Sequence, residues 1–254
     1  MKLLLLAAIT AGLLCASVAL ASPKNSIPAK SKTSPFSGAW LLVEKNHQPL
    51  SVGMNIVMLC TDNYATYTCY DRVSRKFYYT GGGPYSMDKS NFSLRLEFNT
   101  RDSTKVGTTV AYDYVLKGKR LALNAPEGEE VWERLDEPKA ANALAGVWRI
   151  TEREQHGKTS TIQGGPRKTI KILSGTRFQW TAINPETKQF FGCGGGTYTL
   201  ENGKYTEKIE YFSRDPNRVG ASLTFGAHLT GDSWRHQGSS TAGDKVNEVW
   251  KREK

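Results

Sequence analysis

Glu207 and His236 are the two side chains through which this chain could move a proton. A carboxylate and an imidazole enclosed together in a water-poor space form an acid-base pair, because burial raises a carboxyl pKa and lowers an imidazole pKa. Trp180, Tyr205, Tyr211 and Trp234 would supply the walls of the same space. Each also has a plainer reading. A lone histidine is more often a hydrogen-bonded structural residue, a buried carboxylate is rare unless paired, and aromatic residues are usually core. Cys193, between Gly192 and Gly194, has no acylation motif around it, and His47, His156, His228 and His236 lack paired metal-ligand spacing. No catalytic residue, metal or cofactor is therefore assigned. Gly81-Gly82-Gly83 and Gly194-Gly195-Gly196 could approach a phosphate, but Tyr198-Thr199-Leu200 continues as strand where a helix N-terminus would be needed. Sharp sheet curvature explains the glycines better.

The elements that must position these residues occur twice. A shift of 113 residues lays Gly81-Gly82-Gly83-Pro84-Tyr85 on Gly194-Gly195-Gly196-Thr197-Tyr198 and Arg101-Asp102 on Arg214-Asp215. Gly38-Ala39-Trp40 opens one copy and Gly146-Val147-Trp148 the other, while Val131-Trp132-Glu133-Arg134 and Val249-Trp250-Lys251-Arg252 close them. The hydrophobic period is two, as in Phe92, Leu94, Leu96 and Phe98, and turn signals recur about every ten residues, which predicts short half-buried strands. The second copy's strands are expected at 169–173, 178–183, 189–193, 205–212, 221–229 and 233–238. Placing the Phe92 to Phe98 series inside puts Tyr205, Glu207, Ile209 and Tyr211 inside the second copy. Leu121 and Leu123 become Trp234 and His236, and Tyr67 becomes Trp180. The first copy then reads as a filled apolar core and the second as an aromatic cavity holding ionisable groups.

Lys2, the apolar run from Leu3 to Leu14 and Ala19-Leu20-Ala21 have the layout of a secretory signal peptide over 1–21. The expected destination is the periplasm or the medium, with Ser22 as the mature start. Lipid anchoring at Cys15 is the weaker alternative, because Leu14 is a poor fit to the small residue such processing needs. No later stretch is long and apolar enough for a transmembrane helix. Residues 22–35 read as a disordered basic leader and 136–144 as a linker between domains at 36–135 and 145–254. The net charge of +10 is scattered, so nucleic-acid binding is not expected. A monomer is. Cys60, Cys69 and Cys193 do not make a disulfide framework, and strand parity places Cys60 and Cys69 on opposite faces.

A Gly-x-Trp on the first strand with an Arg ending the last strand resembles the lipocalin and wider calycin barrels. The pairs would be Trp40 with Arg134 and Trp148 with Arg252, a guanidinium stacked on an indole at the barrel end. The resemblance, to lipocalin-like secreted bacterial proteins, implies an all-β chain of two tandem small antiparallel barrels. The expectation is an exported binding protein for a small, partly apolar ligand held in the second barrel by Trp180, Tyr205, Glu207, Tyr211, Trp234 and His236. The alternatives are a cofactor-independent enzyme using Glu207 and His236, and a haem-binding barrel with His236 as axial ligand.

Overall fold

The computed structural model describes residues 34–125, 128–136, 142–155, 157–240 and 242–253. The expected signal segment, Cys15 and the leader as far as residue 33 lie outside the described residues, as do His156 and residues 137–141 of the expected linker. Alternating side chains put one face of each strand inside and the other outside, and strands of this kind cover their edges by closing on themselves. The first circuit comprises β1 (Gly38–Lys45), β3 (Met54–Cys60), β4 (Tyr64–Asp71), β5 (Lys76–Met87), β6 (Asn91–Arg95), β8 (Thr109–Lys117), β9 (Arg120–Ala125) and β10 (Gly128–Arg134). It closes where β10 pairs antiparallel with β1. Two short strands, β2 (Gln48–Pro49) and β7 (Phe98–Asn99), flank it. The second circuit runs through β11 (Gly146–Gln155), β13 (Lys168–Leu173), β14 (Arg177–Asn184), β15 (Gln189–Glu201), β16 (Lys204–Phe212), β17 (Ser222–Thr230), β18 (Ser233–Ser239) and β19 (Lys245–Arg252). It closes through β19 on β11, with β12 (Lys158–Thr161) at its edge. The chain is thus all-β, with two closed eight-stranded antiparallel barrels.

Both barrels are closed by the same side-chain device. The guanidinium of Arg134 lies 4.1 Å from the Trp40 ring centroid and that of Arg252 4.2 Å from Trp148. Arg134 donates to the carbonyls of Ser37 and Pro35 at 2.7 and 2.6 Å, and Arg252 to those of Ala145 and Ala143 at 2.7 and 2.8 Å. Gly38 and Gly146 make room for it. Their φ values of +132° and +134° disfavour a side chain, and a Cβ at either would collide with the arginine Nη1. Asp102 and Asp215 have a local task, accepting from Thr104 N and Asn217 N to cap short 310 turns at Ser103–Lys105 and Pro216–Arg218.

The strand expected at 189–193 continues through the glycines as one strand to Glu201. A Cβ on Gly83 would run into the Arg95 carbonyl oxygen and one on Gly196 into that of Lys208, so close backbone approach excludes any side chain. Opposite Gly195 and Gly196 the register skips a residue, Tyr211 and Ile209 pairing with them in turn. That bulge reverses the face of everything beyond it. Tyr211, expected inside, therefore lies between the barrels, and so does Phe98, its counterpart in the first copy.

The outer faces of the two barrels pack together through their own equivalents. Val57 and Leu59 share one buried cluster with Ile170 and Ile172, and Phe77 stacks on Phe190 at 6.4 Å with planes 4° apart. Contacts between residues 113 apart are those of an isologous interface, here within one chain. Polar bonds cross it as well. Tyr70 donates to Glu210 at 2.7 Å, Lys168 pairs with Glu97 at 2.8 Å, and Gln179 accepts from Thr68 at 2.7 Å. Asp136, at the start of the expected linker, is buried and accepts from Gly175 N at 3.0 Å.

Candidate functional site

Two places have the makings of a site, one in each barrel. In the second, Glu207 on β16 meets Lys171 on β13, with Nζ 2.8 Å from Oε1 and side chains only 6% and 4% exposed. Lys171 was not singled out from the sequence. Its ammonium lies 5.2 Å from the ring centroids of Tyr205, Trp234 and Trp250 and 5.7 Å from Phe178, so the pair sits in an aromatic cage. A charge so enclosed is tolerable because a counter-ion and four ring faces replace its water.

His236 on β18 has Glu248 on β19 as its approaching carboxylate. Nδ1 is 3.6 Å from Oε2, longer than a hydrogen bond. Glu248 is fixed by Arg153 at 2.9 Å and by the Trp250 indole N–H at 3.1 Å. The expected Glu207–His236 pair thus gives way to two couples, Glu207 with Lys171 and His236 with Glu248. Burial, and then the Lys171 ammonium, push His236 below the usual imidazole range. Burial would raise the Glu248 carboxyl, but His236 and Arg153 outweigh it and hold that group at about 2. Burial, and then the Glu207 charge, push the Tyr205 phenol well above its usual value. Tyr205 Oη, Trp234 Nε1 and both nitrogens of His236 are buried without a hydrogen-bond partner.

Trp180 is partly buried on β14, edge-on to Phe212 at 5.4 Å. Tyr211 does not join this group. It lies against Tyr70 at 4.6 Å and donates to Gln179 at 2.9 Å in the inter-barrel layer. The His236 ring is packed against Phe225 at 4.0 Å, Trp234 at 5.2 Å and Tyr205 at 5.6 Å, and both its nitrogens are shut off from solvent. This packing does not fit a haem, which needs an open approach to one imidazole nitrogen.

The first barrel, expected to be filled, instead contains a cavity of about 550 Å3. Met58, Phe92, Leu94, Leu123 and Trp132 line its apolar interior, and Lys45, Arg101, Asp102, Lys105 and Glu130 its polar part. The physical reason lies in paired substitutions. Strand register aligns Met58 with Lys171 and Leu94 with Glu207, and the second barrel carries Trp234 and His236 where the first has Leu121 and Leu123. The Trp234 indole, in place of Leu121, occupies volume the first barrel leaves open, while His236 is about the size of the leucine it replaces.

The two barrels also treat their closing tryptophans differently. Lys45–Glu130 at 2.8 Å is the counterpart of Arg153–Glu248. The Trp250 indole donates to Glu248, whereas the Trp132 indole N–H, 3% exposed and in the cavity wall, has no acceptor. A buried donor left unmade costs roughly 1–3 kcal/mol, a penalty the second barrel avoids at this position.

The three cysteines are buried and unbridged. Cys60 and Cys69 face the same first-barrel core, not opposite faces, because the β3–β4 turn resets the parity. They are separated along the hairpin: Cys60 pairs with Ala65 and Cys69 with Ile56, an offset of about 13 Å at ~3.3 Å per residue, too far for a disulfide. Among the described residues no cluster of three His, Cys, Asp or Glu could hold a metal, and no helix is long and apolar enough to cross a membrane.

Residues 143–254, which comprise the second barrel, match a family model described as a domain of unknown function, DUF4488. No curated protein matches the chain. That match is consistent with the barrel architecture and leaves function to be argued from the sites themselves.

Proposed function

We propose that this protein is an exported, lipocalin-like tandem barrel that binds a small, partly apolar molecule in the cavity of its first barrel. The observation that carries the reading is the cavity itself, about 550 Å3, with Met58, Phe92 and Leu94 on its apolar wall and charged side chains along its polar part. Volumes of ~300–1,000 Å3 with an apolar lining and a few placed polar groups are typical of small-molecule sites. The second barrel serves in this reading as a filled partner domain, its Lys171–Glu207 pair satisfied internally. Export rests on the layout of residues 1–21, and a mature chain starting at Ser22 in an intact-mass measurement is the expected result. A diacylated Cys15 would replace the soluble form with an anchored one.

The binding site is tested by titrating the full chain with Nile red, a neutral apolar dye. Leu94→Trp, which fills the cavity, should weaken binding at least tenfold, and Met58→Phe should do so to a lesser degree. Binding unchanged in both variants would overturn the assignment. A second reading, with the ligand in the second barrel, is favoured by the unpartnered Tyr205 Oη, Trp234 Nε1 and His236 nitrogens. Under it, Glu207→Leu with His236→Leu abolishes binding while Leu94→Trp leaves it intact. The enzyme alternative would require turnover that the same double substitution removes.

A further inference from the structure

Arg101 and Arg214 occupy equivalent positions, yet only one of them has a structural task. Arg214 donates from Nε to the Phe191 carbonyl at 2.6 Å, and its Nη2 reaches the same oxygen. It can do so because Gly192 lies beneath it: a Cβ there would come within 2.5 Å of Nε. The first barrel has Tyr79 at that position. Its side chain bars the guanidinium from the backbone, and Arg101 lies instead 5.4 Å from the Tyr79 ring centroid. Among the described residues no hydrogen bond or ion pair involves the Arg101 guanidinium, which lines the polar part of the cavity. The neighbouring charges are otherwise committed. Glu130 is paired with Lys45 at 2.8 Å, and Asp102 Oδ1 accepts from Thr104 N and Oγ1 at 3.0 and 2.5 Å. Arg101 and Lys105 are left facing one partly engaged carboxylate.

We infer that the first-barrel ligand is an anionic amphiphile whose carboxylate is bound by Arg101, with its apolar chain against Met58, Phe92 and Leu94. The inference rests on the cavity being the binding site, and it adds the chemical class of the occupant. A guanidinium presents a fork of donors matched to a carboxylate, and an aromatic face beneath it limits its motion. At a solvent-exposed position the charge-assisted contact corresponds to about a tenfold change in affinity, diminishing as salt rises.

The test uses the full chain and two probes of equal chain length, dodecanoate and 1-dodecanol, each displacing Nile red. Dodecanoate is expected to bind about tenfold more tightly than the alcohol. Arg101→Gln should remove that preference without altering affinity for the alcohol, and Arg101→Lys should retain part of it. Equal affinity for the two probes in the parent protein, or an unchanged preference in Arg101→Gln, overturns the inference while leaving the binding function standing. Failure of both probes and the dye to bind removes the binding function and the inference together.

Discussion

The buried pair in the second barrel permits a calculation with an internal control. Lys171→Met restores the residue the first barrel has at that position, but strands the Glu207 carboxylate where its side chain is only 6% exposed. Removing one member of a buried ion pair costs about 3–5 kcal/mol, because an uncompensated charge remains. At ~2–4 °C per kcal/mol for a folded unit of this size, the melting temperature should drop by about 6–20 °C. Adding Glu207→Leu completes the Met58–Leu94 arrangement and removes the stranded charge. Replacing a whole buried pair by apolar residues is neutral or stabilising by ~1–4 kcal/mol, so the double variant should recover the parent stability or exceed it. Urea unfolding of the parent, both single variants and the double variant, followed by circular dichroism, gives the coupling directly. A Lys171→Met variant within about 0.5 kcal/mol of the parent, or a double variant as unstable as the singles combined, would refute the reasoning.

Arg252→Ala should destabilise the second barrel by about 1–3 kcal/mol, since it removes packing on Trp148 and two bonds to carbonyls; a denaturation midpoint unchanged by the substitution would count against that closure. Stability should be full above about pH 6.5 and fall as pH decreases, because His236 is held below the usual range and the unfolded chain takes up a proton the folded chain refuses. Glu248 adds stability that is present above its ordinary value of 4.5 and is lost as pH falls toward about 2. Urea midpoints from pH 8 to 3, compared with His236→Leu, should show the upper slope only when the histidine is present. Cys60, whose thiol burial pushes up to about 12, and Cys193, pushed higher still, should resist Ellman's reagent in the folded protein and react on unfolding; rapid labelling before unfolding would contradict their burial.

Much of the architecture was legible because duplication supplied its own comparison. Trp40, Arg134, Trp148 and Arg252 recur at the ends of their copies, and two-residue periodicity fixed the inward side of Phe92, Leu94 and Leu96 as well as Tyr205 and Glu207. The same parity failed one turn of pleat later. Tyr211 and Phe98 lie beyond the bulge, and no turn residue announces the skipped position in the sequence. Lys171 was readable in principle, as a cation in the inward register of the apolar run from Ile170 to Leu173, opposite a carboxylate the sister copy lacks. The cavity was not. An interior volume is the difference between barrel size and the sum of many side chains, and no motif encodes that remainder.

The contrast between the barrels also shows why polarity and free volume point to different interiors. Ionisable groups in a small core need partners, and in the second barrel the groups that arrived together satisfy one another: Lys171 takes Glu207, and Arg153 and Trp250 take Glu248. The Lys171–Glu207 pair is no bulkier than Met58 and Leu94, so the added volume comes from Trp234 in place of Leu121. In the first barrel the corresponding positions hold Met58 and Leu94, which demand no partner, and the closing Trp132 loses the acceptor its counterpart has. An apolar interior with open volume is better suited to a partly apolar guest than a polar interior whose principal charges have met. The proposed site accordingly lies where the sister domain's partners are missing, with Arg101 as the group left for a ligand to engage.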